Sequence, residues 1–191
     1  MNDPGSINSE CIQYACGHNP IDGWINVDLF DGSFLASANY NIEDKLKHVI
    51  NIDLLDVHPF DDETFTYAYC EDFVEHLDQR EAILFFVEVF RTLRPGGVLR
   101  LSTPSLNGVL KHHFCGVDRE QAYHQADEAF VKWGHRHFFT HQTMKLMAES
   151  IGFSDYMVCS FGVSNYSALR ERETRSGQKH INLYAEMKKP S

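Results

Sequence analysis

Glycine and acidic residues stand at the ends of three short β-like runs, where a nucleotide-like ligand could bind. Gly17 follows the first run, Asp28 ends the second and Asp53 ends the third. A glycine lets the backbone approach a ligand because it has no Cβ, and a carboxylate at a strand end can accept hydrogen bonds from ribose hydroxyls. The alternative is that Gly17 forms a plain turn and the aspartates cap the next elements. Their coincidence at successive run ends favours the ligand.

A second group of reactive side chains is Asp72, Glu75 and His76 in the stretch EDFVEHL. On a helix this spacing places Asp72 beside the other two, and oxygen and imidazole ligands suit Mg²⁺, Mn²⁺ or Zn²⁺. The competing interpretation is a capping box, with Asp72 and Glu75 at a helix N-terminus, where acids are favoured. We expect capping to account for these acids, and therefore no metal. In the metal alternative, the fourth ligand would be His135, His137 or His141.

Histidines are concentrated between His112 and His141. Their spacing matches no closed structural zinc pattern. A neutral imidazole can act as a base toward a hydroxyl or amine, and His135 and His137 are the candidates for that role. Alternatively, they are ordinary surface or core-edge histidines.

The elements that must position these residues alternate between β-like runs and helical patterns. Strands are predicted near residues 12–15, 24–28, 49–53, 65–69 and 98–102, and a strong helix at 80–93 should connect the last two. Asp78 and Glu81 open that helix, and the RPGG sequence should end it with a turn. Further helical patterns cover residues 118–133 and 140–150. This alternation predicts a parallel sheet. Two β-rich runs after Gly152 should form an antiparallel pair at one edge, joined by a polar segment, residues 164–180, that is longer than a tight hairpin needs.

The connection between the first two runs is too short for an ordinary crossover. Residues 16–23 separate the runs, whereas a parallel crossover usually takes a dozen or more residues and includes a helix. The pattern therefore indicates either a shortened ligand-binding loop or merely two strands and a turn.

Composition excludes several classes of protein. The chain has 191 residues, 43% of them hydrophobic, which suits one domain with a real core. Its five cysteines include no C-x-x-C pair, which is typical of reduced thiols, and a net charge of −10 without a basic stripe argues against nucleic-acid binding. No signal peptide or membrane span is evident in the sequence, so we expect a cytoplasmic protein with no membrane partner.

Six segments in order (YACG, GWINVD, NIDLLD, HPFDDETFTYAYCEDFVEHL, VEVFRTLRPGGVLRLSTPSL and HRHFFTHQTMKLMAESIGF) resemble the class I S-adenosylmethionine-dependent methyltransferases, specifically the type 11 group. The resemblance implies an α/β Rossmann-like fold: a mostly parallel seven-stranded sheet with an antiparallel edge strand. It also implies S-adenosylmethionine as cofactor, with methyl transfer to a small-molecule or sugar-like acceptor. The cofactor residues implied are Ala15, Cys16, Gly17, His18, Asp28, Leu29, Asp53, Leu54, Glu71 and Asp72.

The predicted organisation is a flexible N-terminal tail, residues 1–10, and a single methyltransferase domain, residues 11–191. Residues 105–139 should form an insertion on the acceptor side. This chain departs from the family in its first loop, which in the family usually has two or three glycines and leads into a helix, so we expect a shortened cofactor loop here. One wall of the pocket must then come from the loop itself or from another chain, as in a homodimer. The alternative function is a non-catalytic domain that binds cofactor or a protein partner.

Overall fold

Seven strands form one sheet in the computed structural model, which describes residues 10–30 and 48–191. The sheet order is β3-β2-β1-β4-β5-β7-β6. The strands are β1 (Cys11–Tyr14), β2 (Ile25–Asp28), β3 (Val49–Asn51), β4 (Phe65–Glu71), β5 (Leu93–Pro104), β6 (Ser154–Val158) and β7 (Asn182–Lys188). The pairs among β1 to β5 are parallel, and β7 runs antiparallel to both β5 and β6. The predicted fold class is confirmed.

Four α-helices belong to the described chain: α1 (Gln79–Thr92), α2 (Leu106–His113), α3 (Arg119–Ala126) and α4 (His141–Ile151). Reciprocal capping boxes begin α1 at Asp78 and α3 at Asp118, as their D-x-x-E and D-x-x-Q spacings predict. A π-helical turn, Asp127–Val131, extends α3. No helix in the described residues is long and apolar enough to cross a bilayer.

The RPGG sequence differs from its prediction. It ends α1 as expected, but it lies inside β5, where the pairing of β4 with β5 shifts register between Phe65 and Tyr67. Gly96 adopts a φ of +78°, which a glycine tolerates without strain, so the strand continues through an irregularity instead of a separate turn.

One face of the sheet carries the larger core. Its inward side chains include Ile12, Tyr14, Leu99 and Leu101, all fully buried, and they pack under α1 and α4 together with Phe85, Phe86 and Met144.

The opposite face is covered by an irregular segment. Residues 159–181, here called the β6–β7 connection, bring Leu169 onto a cluster with Cys11, Trp24, Tyr69 and Val98. These five residues are at most 8% exposed. The segment was predicted only as a long joining loop, yet it covers sheet surface that the short β1–β2 connection leaves without a helix.

A buried ion-pair network fastens the same connection to the sheet. Arg100 of β5 is fully buried and pairs with Glu173 of the connection at 2.6 Å and with Glu186 of β7 at 2.8 Å. Its guanidinium also donates to the backbone carbonyls of Ser160 and Val163. The guanidinium thus makes four hydrogen bonds and faces two carboxylates, and such pairing is the condition under which burial of an arginine is tolerated.

The short β1–β2 connection contains no helix, and strand side chains hold its backbone. Asn26 of β2 donates to the carbonyls of Ile21 (3.0 Å) and Trp24 (2.9 Å), while its Oδ1 accepts from the Ile21 amide at 2.8 Å. Gln13 of β1 accepts from the same amide at 2.9 Å. These bonds satisfy loop groups that a helix would otherwise satisfy internally. The predicted shortened loop is therefore present.

The domain boundaries predicted from the sequence stay a prediction. Residues 1–9, most of the expected N-terminal tail, lie outside the described residues.

Candidate functional site

The carboxyl ends of β1, β2 and β4 border a cavity of about 460 Å³, here called the cofactor-side cavity. This location follows the rule for open α/β sheets, whose ligands bind where the strand order reverses, here between β1 and β4. Seven of the predicted cofactor residues line it, namely Ala15, Cys16, Gly17, His18, Asp28, Glu71 and Asp72.

Two residues at this edge hold left-handed backbone conformations that are uncommon outside glycine. Ala15 directly follows β1 and Asp72 directly follows β4, and both have φ of 49°. Such conformations are often retained where a backbone must present its groups to a ligand. Gly17, in the loop two residues after Ala15, has φ of +53°, and an added Cβ there would meet no atom within 4 Å.

Asp28 closes the short loop. Its carboxylate accepts hydrogen bonds from the Gly17 amide at 2.6 Å and from the Leu29 amide at 2.7 Å. Burial raises the pKa of Asp28 above its ordinary value, and these two amide donors oppose that rise. The carboxylate thus organises the loop that lines the cavity, and four lone-pair sites leave it capacity for ligand hydroxyls.

Leu29, Asp53 and Leu54 are not brought to the lining of this cavity. Leu29 is 51% exposed, and Leu54 is buried in the larger core. Asp53 is exposed, and its Oδ1 accepts from the Leu55 amide at 2.9 Å, which is a local turn contact. The predicted role of Asp53 as a cofactor-binding residue therefore has no support in the described residues.

The β6–β7 connection supplies the wall that sequence reasoning left open. Glu71 accepts hydrogen bonds from the amide of Thr174 at 3.1 Å and from its hydroxyl at 2.8 Å. The Asp72 carboxylate lies 3.3 Å from Arg175 Nε and accepts from Asn182 Nδ2 at 2.8 Å. The wall that the family's first helix would provide is thus formed by the β6–β7 connection and β7 of the same chain.

A second cavity, of about 240 Å³, adjoins the first and is here called the acceptor-side cavity. Asp72, His76 and Arg175 line both cavities and form the wall between them. The remaining lining combines Glu75, His113 and His135 with apolar residues, of which Val109, Ala129 and Ile181 are examples. Residues from the predicted insertion 105–139 therefore border this cavity.

The capping explanation of Asp72 and Glu75 is wrong. Residues Val74–His76 form one 3₁₀ turn that begins after Phe73 and has no side-chain cap. Glu75, only 1% exposed, accepts a hydrogen bond from the Thr103 hydroxyl at 2.9 Å, while Asp72 faces Arg175 and Asn182. Burial raises the pKa of both carboxyl groups, and the negative charge of Asp72 raises that of Glu75 further.

The two candidate bases have different surroundings. His135 lines the acceptor-side cavity, and its Nδ1 lies 2.7 Å from the Ala129 carbonyl. His137 lines neither cavity; its ring packs edge-on against Phe139 at 4.3 Å. Burial lowers the pKa of both imidazoles, so the neutral form is favoured. The third histidine, His141, contacts the hydroxyl of Tyr156.

Sequence reasoning missed Thr174, Arg175 and Asn182, because the first two lie in a polar stretch and all three are more than 100 residues from their partners in the chain. The one usable signal was length: a joining segment that long, between paired strands, is uncommon unless it has a function.

Comparison with known families gives one match, to the type 11 methyltransferase domain over residues 21–101. That range begins after Gly17 and includes Asp28, Glu71 and Asp72. No curated protein sequence matches the chain.

Solved structures share the fold over nearly the whole chain. A SAM-dependent methyltransferase from Methanosarcina mazei has a TM-score of 0.63 and 17% identity, covering 97% of this chain and 94% of that one. Phosphoethanolamine N-methyltransferase 2 of Haemonchus contortus, solved with S-adenosyl-L-methionine, has a TM-score of 0.61 and 14% identity. That match covers 98% of this chain and 50% of that one. A possible exported protein from Bordetella parapertussis has a TM-score of 0.57 and 14% identity, and the match covers 97% of this chain and 63% of that one. The chain thus spans less than two thirds of the last two.

Proposed function

We propose that the chain is a class I methyltransferase of the type 11 group, whose domain matches residues 21–101, and that it binds S-adenosylmethionine in the cofactor-side cavity and methylates a small polar acceptor in the acceptor-side cavity. The single observation that carries this proposal is the contact between the two cavities. They share a wall of Asp72, His76 and Arg175, at the sheet edge where this fold binds ligands.

Each cavity suits one half of such a reaction. Bound S-adenosylmethionine supplies a methyl carbon on a positively charged sulfur, which leaves as the neutral thioether when the acceptor attacks. Asp28 offers carboxylate oxygens for ribose hydroxyls, and the acidic side chains of Glu71 and Asp72 favour a cationic ligand nearby. Holding donor and acceptor in line is the main requirement, which alone can contribute roughly 7–11 kcal/mol.

The acceptor is proposed to be polar and small. The acceptor-side cavity holds about 240 Å³, less than most cavities that bind drug-sized molecules. Carboxyl and imidazole groups alternate in its lining with apolar side chains, which suits a hydroxyl- or amine-bearing molecule such as a sugar-like compound better than a lipid. The acceptor leaves its proton behind, and His135 is the predicted base that lines the cavity.

The non-catalytic alternative also has one specific observation in its favour. Glu71 and Asp72 are already engaged by Thr174, Arg175 and Asn182, so the connection occupies the carboxylates that would face the cofactor. In this alternative the domain binds a ligand or a partner without methyl transfer.

The cofactor proposal is tested by calorimetry with S-adenosylhomocysteine. Wild type should bind, and Asp28→Ala should lose roughly 1–3 kcal/mol of binding free energy because ligand hydroxyls lose an acceptor. Asp53→Ala is the matched control: it also removes an aspartate after a strand, but one outside the cavity. Circular dichroism should confirm that both variants are folded.

Absence of binding by wild type would contradict the proposal, as would equal affinities of the two variants. Transfer of labelled methyl groups from S-adenosylmethionine to small molecules of a cell extract then separates the two functions. Binding without any transfer would select the non-catalytic alternative.

A further inference from the structure

We infer that Glu75, His76 and His135 form a binding site for a divalent transition-metal cation at the side of the acceptor-side cavity. Each residue offers one ligand atom, and the three atoms lie within 4.8 Å of one another. All three residues line the same cavity. The inference concerns cation binding, and its test is independent of methyl transfer.

The separations are close to those around a common ion. Glu75 Oε1 lies 3.9 Å from His76 Nε2, and the rings of His76 and His135 have centroids 5.0 Å apart. Ligand atoms bound at about 2.0–2.2 Å to one ion lie roughly 3–4 Å apart. A contraction of about 1 Å, within reach of side-chain rotation, would complete the site.

Hydrogen bonds orient both imidazoles for ligation. The Nδ1 of His135 lies 2.7 Å from the Ala129 carbonyl, and the Nδ1 of His76 lies 3.4 Å from the Gly134 carbonyl. A carbonyl can only accept, so each Nδ1 carries the proton and each Nε2 keeps a free lone pair. Metal-binding histidines use this arrangement, since the outer hydrogen bond fixes the tautomer and the ring.

The backbone holds the two halves of the cluster together. The Glu75 carbonyl accepts from the amides of Arg136 at 2.7 Å and His137 at 3.1 Å, the two residues that follow His135 along the chain. The Arg136 guanidinium also pairs with Asp78 and Glu81 at the start of α1. Two segments about 60 residues apart are thus fixed at the position where their ligand atoms meet.

Glu75 provides the charge that a cation would neutralise. Its side chain is 1% exposed, and Thr103 contributes a neutral donor to Oε2, while Oε1 faces His76. A buried carboxylate is stabilised by a metal as well as by an ion pair. The expectation of no metal depended on Glu75 being a capping residue. Because the 3₁₀ turn at Val74–His76 has no side-chain cap, that reason no longer applies.

The donor set indicates the class of ion. One carboxylate and two imidazoles suit Zn²⁺, Mn²⁺, Fe²⁺ or Co²⁺ better than Ca²⁺, which prefers oxygen ligands. Three protein ligands leave positions for solvent or for an oxygen of a cavity ligand. If the proposed methyl transfer holds, that oxygen belongs to the acceptor. His135 Nε2 cannot bind an ion and accept a proton at once, so this inference replaces its role as a base.

The test titrates chelator-treated full-length protein with ZnCl₂ in a calorimeter and with CoCl₂ in a visible spectrometer. Glu75→Gln keeps an acceptor for Thr103 but removes the charge, and His135→Ala alters a half-buried ring. His113→Ala is the control, because His113 lines the same cavity while its Nδ1 contacts Gln125 Oε1.

Wild type and His113→Ala should each bind one equivalent of Zn²⁺ or Co²⁺. Both other variants should lose more than the roughly 10- to 100-fold in affinity that removal of an outer hydrogen bond costs. Visible Co²⁺ bands should weaken in parallel. The inference is overturned if folded wild type binds no Zn²⁺ or Co²⁺, if both variants keep wild-type affinity, or if His113→Ala loses affinity equally.

Discussion

Replacement of Leu169 by alanine tests whether the β6–β7 connection is an integral layer of the fold. Leu169 is 0% exposed and lies against Cys11, Trp24, Tyr69 and Val98. The change removes three carbons, at roughly 0.8 kcal/mol for each buried methylene, or about 2.4 kcal/mol of transfer free energy. Adding the unfilled cavity gives an expected loss of roughly 2.5–5 kcal/mol in the free energy of unfolding.

Urea denaturation followed by circular dichroism measures this loss. The control is Leu146→Ala on α4, where the side chain is 66% exposed and a change within roughly 0.5 kcal/mol is expected. For a chain of this size the melting temperature of Leu169→Ala should fall by roughly 5–20 °C. A loss no larger than that of the control would show that the connection detaches without affecting the sheet, and would refute its role as a covering layer.

Three further outcomes are expected. Glu173→Ala should destabilise the protein by roughly 3–5 kcal/mol in the same assay, because it removes one partner of the fully buried Arg100; a loss below about 1 kcal/mol would contradict this. Asn26→Ala should cost roughly 1–3 kcal/mol, since it strands loop amide and carbonyl groups, and an unchanged urea midpoint would show that the loop needs no such support. Burial and the charge of Asp28 raise the pKa of Cys16 to about 12, so at pH 8 iodoacetamide should alkylate exposed Cys115 at least ~100-fold faster than Cys16, and similar rates measured by mass spectrometry would argue against this environment.

The regular part of the fold could be predicted because its signals are local. Apolar residues at helical spacing and an acidic capping pair defined α1 to within one residue, and the alternation of elements indicated a parallel sheet. Gly17 and Asp28 could be placed at the site because strand ends meet at one edge of such a sheet. Short-range patterns were sufficient for these features.

The contacts that complete the site could not be predicted, because they depend on distant parts of the chain. Asp72 and Glu75 have the spacing of a capping box, yet the chain forms only a 3₁₀ turn there, and partners at Asn182 and Thr103 take their side chains. Arg100, which lies between Leu99 and Leu101, gave no indication of its carboxylate partners. A local pattern fixes what a side chain can do, and the tertiary fold decides which partner it meets.

Because the wall of the cofactor-side cavity comes from the β6–β7 connection, the pocket depends on residues synthesised late. Glu71 bonds to Thr174 and Asp72 bonds to Asn182, partners that are synthesised 103 and 110 residues later. While residues 159–181 are still in the ribosomal exit tunnel, β1 and β4 lack the cover that Leu169 gives to Cys11 and Tyr69. The pocket is therefore completed late in synthesis, and a fragment limited to residues 21–101 would expose the apolar side chains of Trp24, Tyr69 and Val98 that Leu169 covers.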